Sequence, residues 1–338
     1  MIWIRTDANR EIGSGHVMRC LAIASALKRA GEQVCFLVSD EEALPLLQVR
    51  GQNFRVLHSE YTRLEEEWPV LESLLKEECP RVFLADSYFV TPDYLRRVGK
   101  WTAVGYLDDN CISDLPVDIL INYNIFAKSA LYGNLHKGRL LLGTAYAPLR
   151  EEFTRVEYRV REKATQVLVT TGGSDKYDLA GKFLEKALAE PGTAGLRYNV
   201  VSGAFNVHLE RLRTLEKKHE NVKIYSNVSN MWELMQENDI AISAGGSTLY
   251  ELSAVGVPMI CFSFVDNQER IVEGFFKNGL TCFGGNYLTQ GEKMLDEAVN
   301  QLDRLGRDAA LRREYSKRQR QTVDGLGAAR IAEALLEL

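Results

Sequence analysis

The sequence predicts an α/β protein made of two doubly wound, Rossmann-like domains. Short, near-continuous Val/Ile/Leu/Phe segments alternate with helical stretches along the whole chain, the pattern of parallel sheets covered on both faces. A charged stretch from Arg150 to Lys163, with no periodic apolar face, interrupts the alternation near the middle and reads as a linker. A length of 338 residues is too great for one small core and suits two domains, which we place at 1–155 and 163–338.

In order, the first strand is Ile2–Ile4. A helix follows, with Val17, Cys20, Leu21, Ala24 and Leu27 at the spacing of one buried face. Strands are then expected at Val34–Val38, Phe54–Leu57, Val82–Ala85 and Thr102–Leu107. Helical stretches separate them at Glu41–Arg50, Leu64–Glu78 and Thr91–Val98. Two more short strands, Ile119–Ile121 and Leu140–Leu142, close the first domain. Past the linker, strands are expected at Gln166–Val169, Tyr198–Val201, Val222–Tyr225, Ile240–Ile242, Met259–Phe262 and Leu280–Phe283. The tail from Arg307 to Leu338 reads as helical. Its compact apolar face of Ala328, Ile331, Ala332, Leu335 and Leu336 is expected to pack back across a domain surface.

Composition narrows the function classes. An apolar fraction of 46% and a charged fraction of 26% are ordinary for a soluble globular protein. A net charge of −5 offers no electrostatic footprint for nucleic acid. No apolar run approaches membrane-spanning length, and Met1 leads straight into a strand, so neither membrane insertion nor a signal peptide is expected. The 6 cysteines (Cys20, Cys35, Cys79, Cys111, Cys261 and Cys282) are scattered singly and read as buried thiols of a cytoplasmic protein. No ligand cluster for a metal stands out, and no cofactor is called for.

Chemistry concentrates at glycine turns after strands. The first is Gly13-Ser14-Gly15-His16, where Gly15 and His16 open a helix. A helix N-terminus presents free N–H groups and partial positive charge, which suits an anion and disfavours a protonated imidazole. His16 is therefore expected to be neutral and able to accept a proton; the competing reading is a structural histidine that fills the turn. A dinucleotide fingerprint does not fit, because Met18 stands where its third glycine belongs and the turn from Thr6 to Ile12 is too long.

Two further turns lie in the second half: Thr170-Thr171-Gly172-Gly173-Ser174-Asp175 and Ser243-Ala244-Gly245-Gly246-Ser247-Thr248. Both are expected where a strand end meets a helix start. Paired glycines admit a ligand close to the backbone, and Ser or Thr at the helix start adds hydroxyl donors, as a phosphate requires. Two such turns suggest a diphosphate, although a plain tight turn is the alternative for Gly245-Gly246. No Lys-Ser or Lys-Thr pair follows the glycines, so neither is a Walker motif. Glu251, one turn into the last helix, is placed to bind a pair of ribose hydroxyls or to act as a favourable helix-dipole acid.

Several motifs together resemble the UDP-sugar hydrolases of pseudaminic acid biosynthesis, a family that includes spore-coat polysaccharide synthesis proteins. They are Arg5-x-Asp7, Ile12-Gly13-Ser14-Gly15-His16-Val17-Met18-Arg19-Cys20, Asp86-Ser87-Tyr88, Asp108-Asp109, Leu141-Leu142-Gly143-x-x-Tyr146-x-x-Leu149-Arg150, Gly172-Gly173-Ser174-Asp175 and Asn267-Gln268. The resemblance implies a glycosyltransferase-B fold with two Rossmann-like domains facing across a cleft. It also implies a nucleotide on the C-terminal domain, a sugar facing the N-terminal one, and metal-independent cleavage of UDP-2,4-diacetamido-2,4,6-trideoxy-β-L-altropyranose.

On this reading His16 is the base that takes a proton from water, with inversion, while Tyr88 and Asn267 stand at the sugar. Substrate-binding residues are Arg5, Asp7, Gly15, Arg150, Gly172, Gly173, Ser174, Gly245, Gly246, Ser247, Thr248, Glu251 and Gln268. An inverting glycosyltransferase needs the same base and nucleotide site, and a non-catalytic nucleotide-sugar binding protein needs the turns alone. Asp108-Asp109 lacks the spacing of a metal pair, since neighbours on an extended chain point to opposite faces, and is expected to cap or to pair with Arg5. Asp7 and Asp86 also fit turn formation at strand ends. His58, His136, His208 and His219 are given no role.

Overall fold

The computed structural model describes every residue except Arg10, Ser113, 134–137, Ala204, Asn227 and Ser229; His136 lies outside the described residues. The chain forms two compact units, Met1–Glu151 with Gly325–Leu338, and Glu152–Asp324.

The first unit holds a 7-stranded sheet of β1 (Ile2–Thr6), β2 (Val34–Val38), β3 (Asn53–Val56), β4 (Val82–Asp86), β5 (Ala103–Leu107), β6 (Ile119–Asn122) and β7 (Arg139–Leu142), in the order β3-β2-β1-β4-β5-β6-β7. Every pairing is parallel, as uninterrupted apolar strands require. Side-chain alternation fills both faces. Ile2 and Ile4 join the helix Gly15–Arg29 on one side, while Trp3 joins Leu71, Leu75 and Tyr94 on the other. The tail is two helices, Ala309–Thr322 and Gly327–Leu336. The second packs on the helix Gly15–Arg29, placing Ala328, Ile331, Ala332 and Leu335 in the first unit's core. Full burial of Ile331 and Leu335 stabilises that contact by about 1.5–3 kcal/mol each. The close approach depends on Gly327, where a Cβ would lie 2.2 Å from the Ala147 carbonyl oxygen.

The second unit holds a 6-stranded parallel sheet of β8 (Gln166–Thr170), β9 (Arg197–Ser202), β10 (Val222–Ser226), β11 (Ile240–Ala244), β12 (Met259–Ser263) and β13 (Gly284–Asn286), ordered β10-β9-β8-β11-β12-β13. The last strand corrects the sequence reading. Leu280–Phe283 only leads into it, and the residues paired with Cys261, Phe262 and Ser263 are Gly284, Gly285 and Asn286. In each sheet the order reverses next to the strand that begins the unit, so each has a switch point: β1/β4 in the first, β8/β11 in the second. Ligands of doubly wound sheets bind outside the carboxyl ends of the strands at such points.

The cysteines are free thiols. Cys20, Cys35 and Cys261 are buried as expected, whereas Cys79, in a left-handed conformation after the helix Trp68–Glu78, is exposed. Among the described residues no helix is long and apolar enough to cross a membrane.

Candidate functional site

The first switch point carries a connected polar cluster. Thr6, last residue of β1, is in register with Asp86, last residue of β4. Between β1 and the following helix the chain makes a loop that Asn9 holds together: its Oδ1 accepts from the Glu11 and Ile12 N–H groups at 2.9 and 3.0 Å, and its carbonyl accepts from Gly13. Gly13 takes a left-handed conformation with open space about it. The helix opens at Gly15 with no side-chain cap and no acid in its first turn, so its leading N–H groups are not met by a local carboxylate.

His16 is buried there, with Nδ1 2.6 Å from Asp86 Oδ1. Burial alone would push the Asp86 carboxyl up, but the Arg19 guanidinium and His16 hold it well below the usual carboxylate range. An ionised carboxylate only accepts, so it is the Nδ1 of His16 that donates in this contact. Arg19, one turn further along the helix, donates from Nε to Asp86 Oδ2 at 2.7 Å and from Nη2 to Oδ1 at 2.5 Å. Its Nη1 reaches both Asp109 oxygens at 3.0 and 2.8 Å and Tyr123 Oη at 3.1 Å. The Tyr88 ring stands edge-on to His16, centroids 4.6 Å apart, and its hydroxyl donates to Asp109 Oδ2 at 3.3 Å. Tyr88 is 40% exposed and is the open side of the cluster.

Arg5 and Asp7 behave differently from expectation. Arg5 is 0% exposed. It donates to Glu67 at 2.9 and 3.0 Å, to Asp7 at 2.6 Å and to Ser39 Oγ at 2.5 Å, and Glu67 also accepts from the Tyr94 hydroxyl. Asp7 accepts the Ser39 N–H at 2.7 Å. So enclosed, Arg5 and Asp7 tie the end of β1 to the neighbouring loops from behind. Nor does Arg5 pair with Asp108 or Asp109. Asp108 accepts from the Tyr132 hydroxyl at 2.7 Å and from the Asn110 and Ile112 N–H groups, which is the expected capping role. Arg150 is half-buried in the first unit.

At the second switch point, Ser243 of β11 is in register with Thr170 of β8, so both glycine turns emerge side by side. They are not equivalent. Gly172, Gly173 and Ser174 form an exposed loop, with Gly172 left-handed, but no helix starts there. The helix begins at Leu179, and Asp175 accepts its Leu179 and Ala180 N–H groups at 2.8 and 2.9 Å. A carboxylate of the chain itself thus takes the position expected for a phosphate.

The second turn fits better. Gly246 has φ +151° with nothing near its Cβ position, and Ser247 and Thr248 start the helix Ser247–Val255 without a side-chain cap. Gly245 has another reason to be glycine: a Cβ would lie 2.8 Å from Val272 Cγ2 and 3.1 Å from the Gln268 carbonyl oxygen, so it admits the helix Asp266–Lys277. Asn267 is exposed in the first turn of that helix, while Gln268 Oε1 accepts the Phe264 N–H at 3.1 Å and locks the loop. Glu251 is half-buried in the Ser247–Val255 helix.

Sequence reasoning gave no role to Arg19, although a charge inside a helix otherwise apolar over Cys20–Ala24 was the available signal. Glu67 and Tyr94 carried none, being two among many Glu and Tyr residues in amphipathic stretches.

Comparison with known proteins gives one family-level match, the glycosyltransferase family 28 C-terminal domain over residues 166–305. The chain is similar to the spore coat polysaccharide biosynthesis protein SpsG of Bacillus subtilis, 28% identical, covering 100% of this chain and 98% of that one. It is 26% identical to the UDP-2,4-diacetamido-2,4,6-trideoxy-beta-L-altropyranose hydrolase of Campylobacter jejuni, over 82% of this chain and 97% of that one. It is 27% identical to an uncharacterized protein of Methanocaldococcus jannaschii, of whose length it spans 58%. Among solved structures, Acinetobacter baumannii MurG superposes with a TM-score of 0.71 at 14% identity, covering 100% of this chain and 99% of that one. The fold is therefore the expected glycosyltransferase-B type, and the relatives are those named by the sequence resemblance.

Proposed function

We propose that this protein hydrolyses a UDP-linked deoxy-diacetamido sugar, releasing UDP and the free sugar for synthesis of a pseudaminic-type acid. The observation that carries the reading is the buried His16–Asp86 pair at the mouth of the β1/β4 switch point, a base with its orienting carboxylate already in contact. Homology to the Campylobacter hydrolase over nearly its whole length supports the substrate class.

His16 Nε2 takes a proton from water as the water oxygen attacks the anomeric carbon from the face opposite UDP. The bond from that carbon to the phosphate oxygen breaks, its electron pair leaves with UDP, and the sugar is released inverted. Asp86 stabilises the imidazolium until its proton passes to solvent. In the second unit, the N–H groups and hydroxyls of Gly246, Ser247 and Thr248 take the diphosphate, joined by the Gly172-Gly173-Ser174 loop, and Glu251 takes the ribose. Tyr88 and Asn267 are assigned to the sugar. No metal is assigned, because Asp108 and Asp109 are already engaged by Tyr132 and Arg19.

The test follows UDP release from a panel of UDP-sugars, with and without acceptors, before and after chelator treatment. Release in water alone, insensitive to chelation, is expected for the diacetamido-trideoxy substrate. His16→Asn should slow it about 10²- to 10⁴-fold with UDP-sugar affinity and Tm little changed. Release only with an acceptor would identify a transferase, and no release a binding protein; either outcome overturns the proposal. Loss of activity on chelation, restored by magnesium or manganese, would overturn metal independence.

A further inference from the structure

The Asp86 oxygen that receives the His16 proton is shared. Arg19 Nη2 donates to Oδ1 at 2.5 Å while His16 Nδ1 donates to the same atom at 2.6 Å, and Nη2 itself lies 3.0 Å from Nδ1. A guanidinium in that place draws on the carboxylate charge that would otherwise stabilise an imidazolium, and adds a positive charge beside it. On the far side of Arg19 stands Asp109, bound through both oxygens, which offsets that positive charge. We propose that Arg19 is a positioning residue that sets the pH range in which His16 accepts a proton, with Asp109 opposing it.

Among the described residues the groups facing His16 are few. Asp86 comes from β4, Tyr88 from the loop after it, and Arg19 from the helix that His16 opens. Tyr123 and Asp109 lie behind Arg19, and Cys20 donates to Asp86 Oδ2 at 3.2 Å, the oxygen that also takes Arg19 Nε. Burial pushes the Tyr88 and Cys20 groups up, so both are neutral near pH 7. Arg19, with its burial outweighed by the two carboxylates, is held above its ordinary value and stays charged. Among the described residues the charge balance at His16 thus rests on one cation between two anions. Removing the cation favours the imidazolium, and removing the outer anion disfavours it.

The inference rests on His16 being the base, and its test separates the two. The His16 imidazole is titrated by NMR in the full-length protein labelled at histidine, assigned by its absence in His16→Asn, alongside the pH profile of UDP-sugar turnover. Arg19→Gln should move the imidazole midpoint to higher pH by about one unit or more. Asp109→Asn should move it to lower pH, and Arg19→Lys should leave it near the parent value. Midpoints that stay put, or that move the same way in Arg19→Gln and Asp109→Asn, overturn the inference. Should Arg19→Gln not fold, Asp109→Asn decides alone, since its side chain is 19% exposed; a downward shift supports the inference, and no shift or an upward one overturns it. If the imidazole shifts as stated but turnover does not follow it, the role of His16 as base fails while the coupling to Arg19 stands.

Discussion

Replacing Asp86 by Asn removes one negative charge while keeping the shape of the side chain, and the structure sets the size of the effect. Asp86 is fully buried and accepts from His16, twice from Arg19 and once from Cys20. Its loss leaves Arg19 buried with one carboxylate partner instead of two; breaking a buried pair from one side costs about 3–5 kcal/mol. At roughly 2–4 °C per kcal/mol for a unit of this size, calorimetry should show Tm lowered by about 6–20 °C. Turnover should fall further than stability explains, up to about 10⁴-fold, because Asn fixes the imidazole tautomer poorly.

The acid limb of stability gives an independent check on the same variant. The folded Asp86 holds its proton well below the ordinary value of 3.8, so below about pH 5 the unfolded chain binds more protons than the folded one. Stability from Asp86 is therefore complete above that range and drains away as pH falls towards the folded value. Asp86→Asn should flatten the fall of Tm with acidification. A variant curve parallel to the parent's, with turnover unchanged, would refute the account of Asp86 as an ionised, orienting carboxylate.

Two further outcomes concern the second unit. Glu251→Ala should weaken binding of UDP more than binding of pyrophosphate, measured by titration calorimetry; equal losses would remove Glu251 from the ribose. Gly245→Ala should lower stability by about 1–3 kcal/mol through the clash with Val272 and Gln268, read as a drop in the unfolding midpoint, and an unchanged midpoint would deny that packing role.

The strands that form the middle of the first sheet were legible because burial on both faces favours apolar residues at consecutive positions: β2 is apolar throughout, and β1 and β4 are apolar up to the polar residues at their carboxyl ends. The final strand was not, because its pairing residues, Gly284, Gly285 and Asn286, have no strand preference and the apolar run before them drew the assignment. At the site, His16 was legible from the turn that carries it. Its partner was not assigned, since Asp86 is 70 residues away and only the adjacency of β1 and β4 brings the two together. Arg5 misled for the same reason: its partner Glu67 lies 62 residues on, and a charged residue beside a ligand loop looks like a ligand contact until its burial is known. The Gly172 turn was expected to open a helix, whereas the helix starts later, at Leu179, and Asp175 takes its Leu179 and Ala180 N–H groups.

The return of Gly325–Leu338 to the first unit has a consequence for how the chain acquires its structure during synthesis. The second unit is an insertion whose own residues are contiguous, so its core closes without any residue after Asp324. The first unit emerges earlier, but its core is complete only once Ile331 and Leu335 are made, since they close the apolar face beside the helix Gly15–Arg29. Until then the surface that carries His16 on its far end is left partly uncovered, and the half made first is the half finished last.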